Sequence, residues 1–412
     1  MGPALVLPIL AALPLSGTDW RQWGGPARSF AAAAPPLADA WADFGADSSA
    51  RGGPRELWSR PLGSGHSALV VAGNRAFTMF GDGEREPVVA LDARNGETLW
   101  SFAYTVRYAT RSSAYGGPHA TPLVDDEGRV ITVGIDAKAH AFDGATGELL
   151  WSRDLVVTHG VDLPQSGYAA SPVAWGETIV FAGTGGPGPS AIALRRDDGS
   201  TAWARHSFLG SHASPRVIEH GGAEHLVLHG TNLLVGLDPA TGDLRWRGRV
   251  RTDAIDNVSF SPAWDPDTAQ LFVSHAYDGK GVQAWRLTGN ERQGWALDRT
   301  WTNRRLKVQH GNGVLLDGAL HAADGESFLV GVDVASGETR YKRRGVPKST
   351  LLAADGKLIA LDGDGTLRLV APGGEELARA KVLGSEAWTA PTLVGRTLYL
   401  RDGERAIALE LP

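Results

Sequence analysis

A tight turn followed by an aromatic residue recurs along the chain and constrains the fold more than any other feature. The five clear copies are LDARNGETLW (91–100), FDGATGELLW (142–151), LRRDDGSTAW (194–203), LDPATGDLRW (237–246) and VDVASGETRY (332–341). In each copy glycine precedes the aromatic residue by four positions. Glycine supplies the positive φ that a tight hairpin turn needs, and an Asp before the turn can accept hydrogen bonds from its backbone N–H groups. Each copy therefore predicts a hairpin of two antiparallel strands.

The spacing of the copies predicts a propeller. Another copy, around Trp285 and Trp295, carries an insertion, and a degenerate copy ends at Ala378. With these included, the turn glycines lie 37 to 52 residues apart, and a four-stranded propeller blade takes about 40–50 residues. No long helical periodicity is present. We therefore expect an all-β fold, an eight-bladed β-propeller of four-stranded antiparallel blades.

The innermost strand of each blade is predicted from a short opening sequence, in most cases Ser-Pro or Thr-Pro. Proline is tolerated at the start of a strand because its missing amide need not join the ladder. Eight such strands are predicted to start near Leu69, Pro122, Pro172, Pro215, Pro262, Gly313, Leu351 and Pro391.

The two ends of the propeller sequence are predicted to complete one blade. The last unit, from Ala390 to Pro412, ends before any turn-and-aromatic strand, whereas the strand ELWSRPL, from Glu56 to Leu62, has no inner strands before it. We expect the strand from Glu56 to Leu62 to join the eighth blade and close the ring, which removes exposed sheet edges.

The aromatic residues of the motif are interpreted as structural. A ring in this position can pack between adjacent sheets and bury about 150–250 Å². The residues predicted to dock blades together are Trp58, Trp100, Trp151, Trp203, Trp246 and Tyr341.

The N-terminal region precedes the propeller and suggests export. The apolar run from Ala4 to Leu15 is shorter than the about 20 residues that a membrane span needs, and it suits the core of a signal peptide; a disordered apolar tail is the alternative. We expect a signal peptide at 1–17, an Ala/Gly/Pro-rich segment at 18–55 that docks in part through its tryptophans, and the propeller at 56–412. The expected location is the periplasm or the exterior.

Composition excludes several function classes. The chain has no cysteine, which excludes disulfides, thiolate metal sites, covalently attached c-type haem and a lipid anchor on cysteine. Its net charge of −6 argues against nucleic-acid binding. No later stretch is long and apolar enough for a membrane span, and we expect a monomer.

The positions three residues before the inner-strand prolines form a set that we call the mouth ring. Its members, blade by blade, are His66, His119, Ala169, His212, Ser259, His310, Lys348 and Trp388. Random placement of 12 histidines in 412 residues would put fewer than one here. In a propeller these positions lead into the innermost strands, so we expect them at one mouth of the central channel.

Two roles of the mouth ring stay open. The imidazoles can hydrogen-bond backbone groups of neighbouring blades, or the ring can be a ligand-binding funnel that holds an anion with partly protonated histidines beside Lys348. The four histidines are too dispersed to share one metal ion; at most His66 and His119, from adjacent blades, could do so. No metal site and no catalytic residue is predicted.

Basic residues lead into the sixth and seventh blades. They are Arg299, Arg304, Arg305, Lys307, Lys342, Arg343, Arg344 and Lys348. One interpretation is that they keep outer strands soluble. The other is a positive patch on an acidic protein, which would suit acidic lipid headgroups or an acidic protein segment.

These motifs resemble a known family. The turn motif, with DWRQWGGPARSF (19–30), ELWSRPLGSGHS and ASPVAWGETIVFAGTGG, resembles the PQQ-like repeat propellers, which include quinoprotein alcohol dehydrogenases and the outer-membrane assembly factor BamB, and more closely the PQQ-binding-like β-propeller repeat proteins. The resemblance covers about 19–412 and implies the propeller fold.

The resemblance implies less about activity than about fold, because the repeated motif builds the propeller and does not itself form a functional site. A quinoprotein dehydrogenase of this family binds PQQ across the axis, holds Ca²⁺ with Glu, Asn and Asp, uses an Asp base, and often has a vicinal disulfide. The disulfide is impossible here, and no residue matches the ligands or the base; Asp256 and Asn257 fit by type but are interpreted as turn residues. We therefore expect a non-catalytic binding or assembly scaffold for a protein or a small anionic ligand, without a cofactor. The alternative is a divergent PQQ- and Ca²⁺-dependent dehydrogenase that uses the axial funnel.

Overall fold

The strands of the chain form the predicted ring of sheets. The computed structural model describes residues 19–41, 52–107, 116–164, 166–208, 210–250, 258–275, 280–309, 311–325, 327–384 and 386–412. These residues form eight antiparallel blades of four strands, and one blade carries an additional parallel strand from the N-terminal region. The prediction of an all-β, eight-bladed propeller is confirmed.

The first four blades run in sequence order from the axis outward, after β1 (Ala31–Ala32) and β2 (Arg55–Pro61). Blades 1 and 2 contain β3 (Val70–Ala72), β4 (Arg75–Met79), β5 (Arg85–Asp92), β6 (Thr98–Thr105), β7 (Leu123–Val124), β8 (Arg129–Val133), β9 (Lys138–Asp143) and β10 (Leu149–Asp154). A single-turn helix, α1 (Leu155–His159), follows blade 2. Blades 3 and 4 contain β11 (Val173–Trp175), β12 (Thr178–Ala182), β13 (Ala191–Arg195), β14 (Thr201–Arg205), β15 (Arg216–His220), β16 (Ala223–His229), β17 (Leu233–Leu237) and β18 (Leu244–Arg249).

The other four blades follow the same order. Blades 5 and 6 contain β19 (Ala263–Asp265), β20 (Gln270–His275), β21 (Gly281–Asn290), β22 (Gly294–Asn303), β23 (Val314–Leu316), β24 (Ala319–Ala323), β25 (Phe328–Asp333) and β26 (Thr339–Arg344). Blades 7 and 8 contain β27 (Thr350–Ala354), β28 (Lys357–Leu361), β29 (Thr366–Val370), β30 (Glu376–Lys381), β31 (Thr392–Val394), β32 (Thr397–Arg401) and β33 (Arg405–Glu410). Every inner strand starts within a residue or so of its predicted position.

The ring closes as the sequence predicts. Strand β2 pairs antiparallel with β33, so that Arg55 lies opposite Glu410 and Trp58 opposite Ala408. The outermost strand of blade 8 therefore comes from the start of the propeller sequence, and its other three strands come from the end of the chain.

The repeated turn has two reasons to contain glycine. In the copy before β10, the Asp143 carboxylate accepts hydrogen bonds from the backbone N–H groups of Ala145 and Thr146, at 2.9 and 2.7 Å, and Gly147 has φ +78°. A Cβ atom at Gly147 would also lie only 2.7 Å from the ring of Trp100, which belongs to the preceding blade. The glycine thus allows both the turn and the contact between blades.

This contact between an aromatic ring and the next blade recurs around the propeller. The pairs are Trp58 with Gly96, Trp100 with Gly147, Trp151 with Gly199, Trp203 with Gly242, Trp301 with Gly337 and Tyr341 with Gly374. The tryptophan N–H groups donate to carbonyl groups of the next blade's turn, for example Trp58 to Ala93 at 2.9 Å. Trp246 differs: its N–H donates to Nδ1 of His225 in its own blade, at 3.1 Å.

The N-terminal segment crosses the propeller on the face where the inner strands end. We call residues 19–38 the strap. Its backbone bonds to inner strands of blades 1, 2 and 7, since Trp20 pairs with Val71, Val124 N–H donates to Arg21 O, and β1 pairs with β27. It reaches blade 8 through Ala38 N–H, which donates to the carbonyl of Pro412 at 3.0 Å. Trp20 is buried. Among the described residues, no helix has the length and apolar character needed to cross a membrane.

Candidate functional site

The mouth ring and the strap enclose a cavity on the propeller axis. This axial cup has a volume of about 210 Å³. Its lining includes the predicted ring members His66, His119, Ala169, His212, Ser259 and Trp388, together with Trp23, Ser166, Ser171, Ser214, Ser261, Gln309 and Gly311. The structure therefore brings together side chains that are spread over more than 300 residues of sequence.

Two predicted members of the mouth ring are not among the described residues that line the cup. Lys348 does not line the cup; its Nζ lies 5.0 Å from the ring centroid of Trp388, and its backbone has φ +44°. His310 lies outside the described residues, although its neighbours Gln309 and Gly311 line the cup. The same holds for Asp256 and Asn257, which also fall outside the described part of the chain.

Three aromatic rings from adjacent blades form one wall of the cup. The ring of His66 lies 5.3 Å from that of His119, nearly perpendicular to it. On its other side His66 stacks on Trp388 of blade 8, with ring centroids 5.5 Å apart. No group of three or more side chains that could hold a metal ion is found among the described residues.

Below the mouth ring, hydroxyl groups tie the blades together. We call Thr121, Ser171, Ser214 and Ser261 the belt; each lies two residues after a ring position and directly before a proline. The backbone N–H of Thr121 donates to Ser171 Oγ at 2.9 Å, that of Ser171 to Ser214 Oγ at 2.8 Å, and that of Ser214 to Ser261 Oγ at 3.0 Å. The amide of Ala68 likewise donates to Thr121 Oγ1 at 3.0 Å. Hydroxyl groups therefore connect blades 1 to 5 at this level.

The strap provides the floor of the cup. Trp23 lines the cavity, its Nε1 donates to Ser261 Oγ at 3.4 Å, and Phe30 packs edge-on against it with ring centroids 5.0 Å apart. Because the strap crosses the ends of the inner strands, the cup is accessible from the mouth side. The sequence predicts that tryptophans of the N-terminal segment dock on the propeller, but no motif predicts that Trp23 lies in the site.

The chemistry of the cup favours ligands that accept hydrogen bonds. The described lining residues offer hydroxyl, imidazole, indole and amide groups, and none of them carries a carboxylate. Lys348, whose Nζ lies over the ring of Trp388, adds a positive charge near this wall. The cup can therefore surround a small acceptor-rich group and place a planar one beside Trp388.

The basic residues of blades 5 and 6 converge on the mouth side. The amide of Gly325 donates to the carbonyl of Lys307 at 3.0 Å. Lys342 Nζ lies 3.8 Å from the ring centroid of Phe328 and 3.3 Å from the Asp324 carboxylate, whereas Arg343 and Arg344 are exposed. The charge of Lys342 is therefore partly neutralised, whereas Arg304 and Arg305 are exposed like Arg343 and Arg344.

The described residues do not fit a calcium-bound quinone. Calcium takes six to eight oxygen ligands, among them carboxylates, at about 2.3–2.6 Å. The oxygen donors that line the cup in the described part of the chain are serine hydroxyls and the amide of Gln309. These neutral donors offer no charge to offset that of the ion.

Comparisons with known proteins agree with this architecture. A family model described as outer membrane protein assembly factor BamB matches residues 84–343. Among curated proteins none matches. Among solved structures, BamB from Moraxella catarrhalis has a TM-score of 0.65 and 14% identity, covering 87% of this chain and 100% of that one.

Two dehydrogenases are similar to the same degree. A europium-containing methanol dehydrogenase has a TM-score of 0.63 and 11% identity, covering 96% of this chain and 99% of that one. The quinohemoprotein alcohol dehydrogenase from Comamonas testosteroni has a TM-score of 0.63 and 14% identity, covering 95% of this chain and 80% of that one. At these identities the likeness concerns the fold.

Proposed function

The chain belongs to the family described as outer membrane protein assembly factor BamB, and from this membership we propose that it is an extracytoplasmic, non-catalytic binding scaffold whose axial cup receives a small anionic ligand. The observation that carries the proposal is the lining of the cup. It combines histidines of two adjacent blades, a hydroxyl belt and two tryptophans, and its described residues include no carboxylate. Such a site attracts a carboxylate-bearing ligand because donors converge on it from several blades without a competing negative charge.

The size and shape of the cup narrow the ligand class. Its volume of about 210 Å³ lies well above the roughly 10–15 Å³ that one water molecule needs and below the roughly 300–1,000 Å³ of typical ligand pockets, which suits a small ligand rather than a peptide segment. The face of Trp388 and the floor formed by Trp23 favour a planar apolar part. A small aromatic carboxylate satisfies both requirements.

The proposal can be tested by calorimetric titration with phthalate, an aromatic dicarboxylate with a planar ring. We expect binding that weakens about tenfold in the double variant His66→Ala, His119→Ala, because a hydrogen bond to a charged group contributes about 1.5–3 kcal/mol. The unfolding midpoint should change little, since the belt hydroxyls remain. His159→Ala, at the end of α1 and outside the cup, is the matched control.

Two outcomes would contradict this function. Equal phthalate affinity in the double variant and in the control would place binding outside the cup. Calcium-dependent PQQ binding together with oxidation of added alcohols would instead support a divergent quinoprotein dehydrogenase.

A protein scaffold is the second candidate, because the family is that of an assembly factor and exposed arginines lie on the mouth side. Here an acidic segment of a partner protein would bind at Arg343 and Arg344. The charge-reversed variant Arg343→Glu, Arg344→Glu should lose capture of an extracytoplasmic partner that His66→Ala, His119→Ala retains.

A further inference from the structure

Two arginines are buried where the strap meets the blades. Arg28 belongs to the strap and Arg216 begins β15 of blade 4; only 8% and 7% of their surfaces are exposed. Fully buried arginines are uncommon unless they are paired with a negative group.

The protein groups that bind these arginines are neutral. Arg28 Nη1 donates to the carbonyl of Pro172 at 2.9 Å and to the side-chain oxygen of Gln22 at 3.1 Å. Arg216 donates from Nη1 to the carbonyl of Pro262 at 3.0 Å and from Nη2 to that of Ala27 at 3.1 Å. Among the described residues, no carboxylate forms an ion pair with either guanidinium.

A small cavity lies between the two side chains. It has a volume of about 20 Å³, and its lining includes Arg28, Arg216, Phe30, Ser261 and Trp264. The Nε atom of Arg216 is buried, and no protein atom in the described part of the chain accepts its proton. The Nε–H group of Arg216 therefore lacks a protein acceptor, and Arg216 also lines a cavity.

We propose that this cavity is a binding site for a single monatomic anion, of which chloride is the abundant example. A cavity needs about 10–15 Å³ to hold one water molecule, so 20 Å³ suits one particle of similar or slightly larger size. An anion here would accept the Nε proton of Arg216 and offset two like charges that burial would otherwise leave uncompensated. In keeping with this, burial and then the charge of Arg216 lower the pKa of Arg28 to about 9.

The anion would fasten the strap to the propeller. Arg28 is a strap residue, and Arg216 holds the strap carbonyl of Ala27. Trp23, the floor of the axial cup, lies in the same segment. Chloride would thus stabilise the closed lower end of the channel, whether or not the cup binds the ligand proposed above.

Two measurements on the full chain test the site. The first is the thermal unfolding midpoint in sodium chloride and sodium bromide, compared with sodium gluconate at equal ionic strength. We expect the halides to raise the midpoint by about 2–5 °C. The rise should disappear in Arg216→Gln and persist in the control Arg247→Gln, which removes an exposed arginine of β18.

The second measurement is independent of any variant. Crystals of the wild-type protein grown in bromide should show an anomalous difference peak between the guanidinium groups of Arg28 and Arg216. If Arg216→Gln fails to fold, this experiment alone decides. The proposal is overturned by the absence of that peak, which would mean that water occupies the cavity, or by an equal halide effect in Arg216→Gln and the control.

Discussion

The indole ring of Trp58 lies directly on Gly96 of the neighbouring blade, so closely that a Cβ atom at position 96 would be 2.8 Å from the ring. Gly96 also has φ +74°, in the left-handed region that residues with a side chain disfavour. This pair joins the strand that closes the propeller to blade 1, and the corresponding contact recurs at five further pairs around the ring. One position in the repeat therefore holds both the hairpin and the contact between blades.

We expect Gly96→Ala to destabilise the protein by about 3 kcal/mol. A left-handed conformation costs a residue with a Cβ atom about 1–2 kcal/mol, and displacement of a packed ring adds a similar amount. Gly128→Ala is the matched control, because Gly128 has φ +82° and nothing within 4 Å of an added Cβ. Urea unfolding followed by tryptophan fluorescence measures both variants; equal losses would show that packing on Trp58 contributes nothing.

The belt predicts a second effect on stability. In Ser214→Ala the buried backbone N–H of Ser171 loses the hydroxyl that accepts its hydrogen bond at 2.8 Å. An unsatisfied buried donor costs about 1–3 kcal/mol, so the free energy of unfolding should fall by that amount. Ser152→Ala, exposed on β10, should be neutral in the same denaturant titration. A neutral Ser214→Ala would mean that the belt is not a tie between blades.

The sequence predicts the fold well because its determinants are local and repeated. Glycine turns and prolines at strand starts act within a few residues, so Pro122 and Pro172 place inner strands correctly. In blade 5, Trp301 is the residue that docks on the next blade, where it packs on Gly337. Because the hairpin of β21 and β22 is longer, Trp301 lies farther from its turn than the motif requires, and the sequence pattern does not predict its role.

The site is less predictable because it depends on contacts between distant segments. The register of the prolines places His66, His119, His212 and Ser259 in the cup. Trp23 reaches the cup through the course of the strap, which no repeat encodes. Lys348 lies at a ring position, yet its side chain lies over Trp388, a contact that the sequence register does not reveal.

A buried carboxylate between blades 1 and 2 predicts a pH effect. Glu86 accepts a hydrogen bond from Tyr104 Oη at 2.7 Å, and the N–H of Ile135 also donates to it. Burial is the main cause that raises the pKa of Glu86 to about 7; nearby Asp136 raises this pKa further and Lys138 lowers it. The folded state thus binds a proton more tightly than the unfolded chain, in which the pKa is near 4.3.

We therefore expect Glu86→Gln to gain stability relative to the wild type as the pH rises. The wild type loses the contribution of the bound proton between about pH 4.5 and pH 7, which amounts to roughly 3–4 kcal/mol, whereas the glutamine does not titrate. Urea unfolding at pH 5, 6, 7 and 8 measures the difference. Glu177→Gln, at an exposed position, serves as the control, and a constant difference across this range for Glu86→Gln would contradict the prediction.

A histidine pair between blades 4 and 5 acts in the opposite direction. The Nε2 atoms of His229 and His275 lie 3.0 Å apart, and Nδ1 of His229 lies 3.1 Å from the carbonyl of Phe260. Burial, followed by the charge of His275, lowers the pKa of His229 well below its usual value. Since the unfolded chain takes up a proton near pH 6.5 and the folded one does not, stability is lost as the pH falls below about 6.5.

His229→Gln should therefore weaken this acid sensitivity. The variant will be less stable than the wild type at pH 7, because it disrupts a buried hydrogen-bonded pair, but its loss of stability between pH 7 and pH 5 will be smaller. The unfolding midpoint at these two pH values gives the comparison. An unchanged loss in the variant would show that other groups cause the acid sensitivity.

The floor of the cup gives the last prediction. Trp23→Ala removes an indole that lines the cavity and lies against Phe30, so the cup becomes deeper and a planar ligand loses one of its apolar surfaces. We expect phthalate affinity to fall about tenfold, since loss of a buried aromatic contact costs about 1.5 kcal/mol or more. Trp175→Ala, which removes a tryptophan of β11 that binds Glu224 outside the cup, is the control. Calorimetric titration of both variants separates the roles: a loss confined to Trp23→Ala means that the strap shapes the site, whereas unchanged affinity in both means that the ligand does not reach the floor.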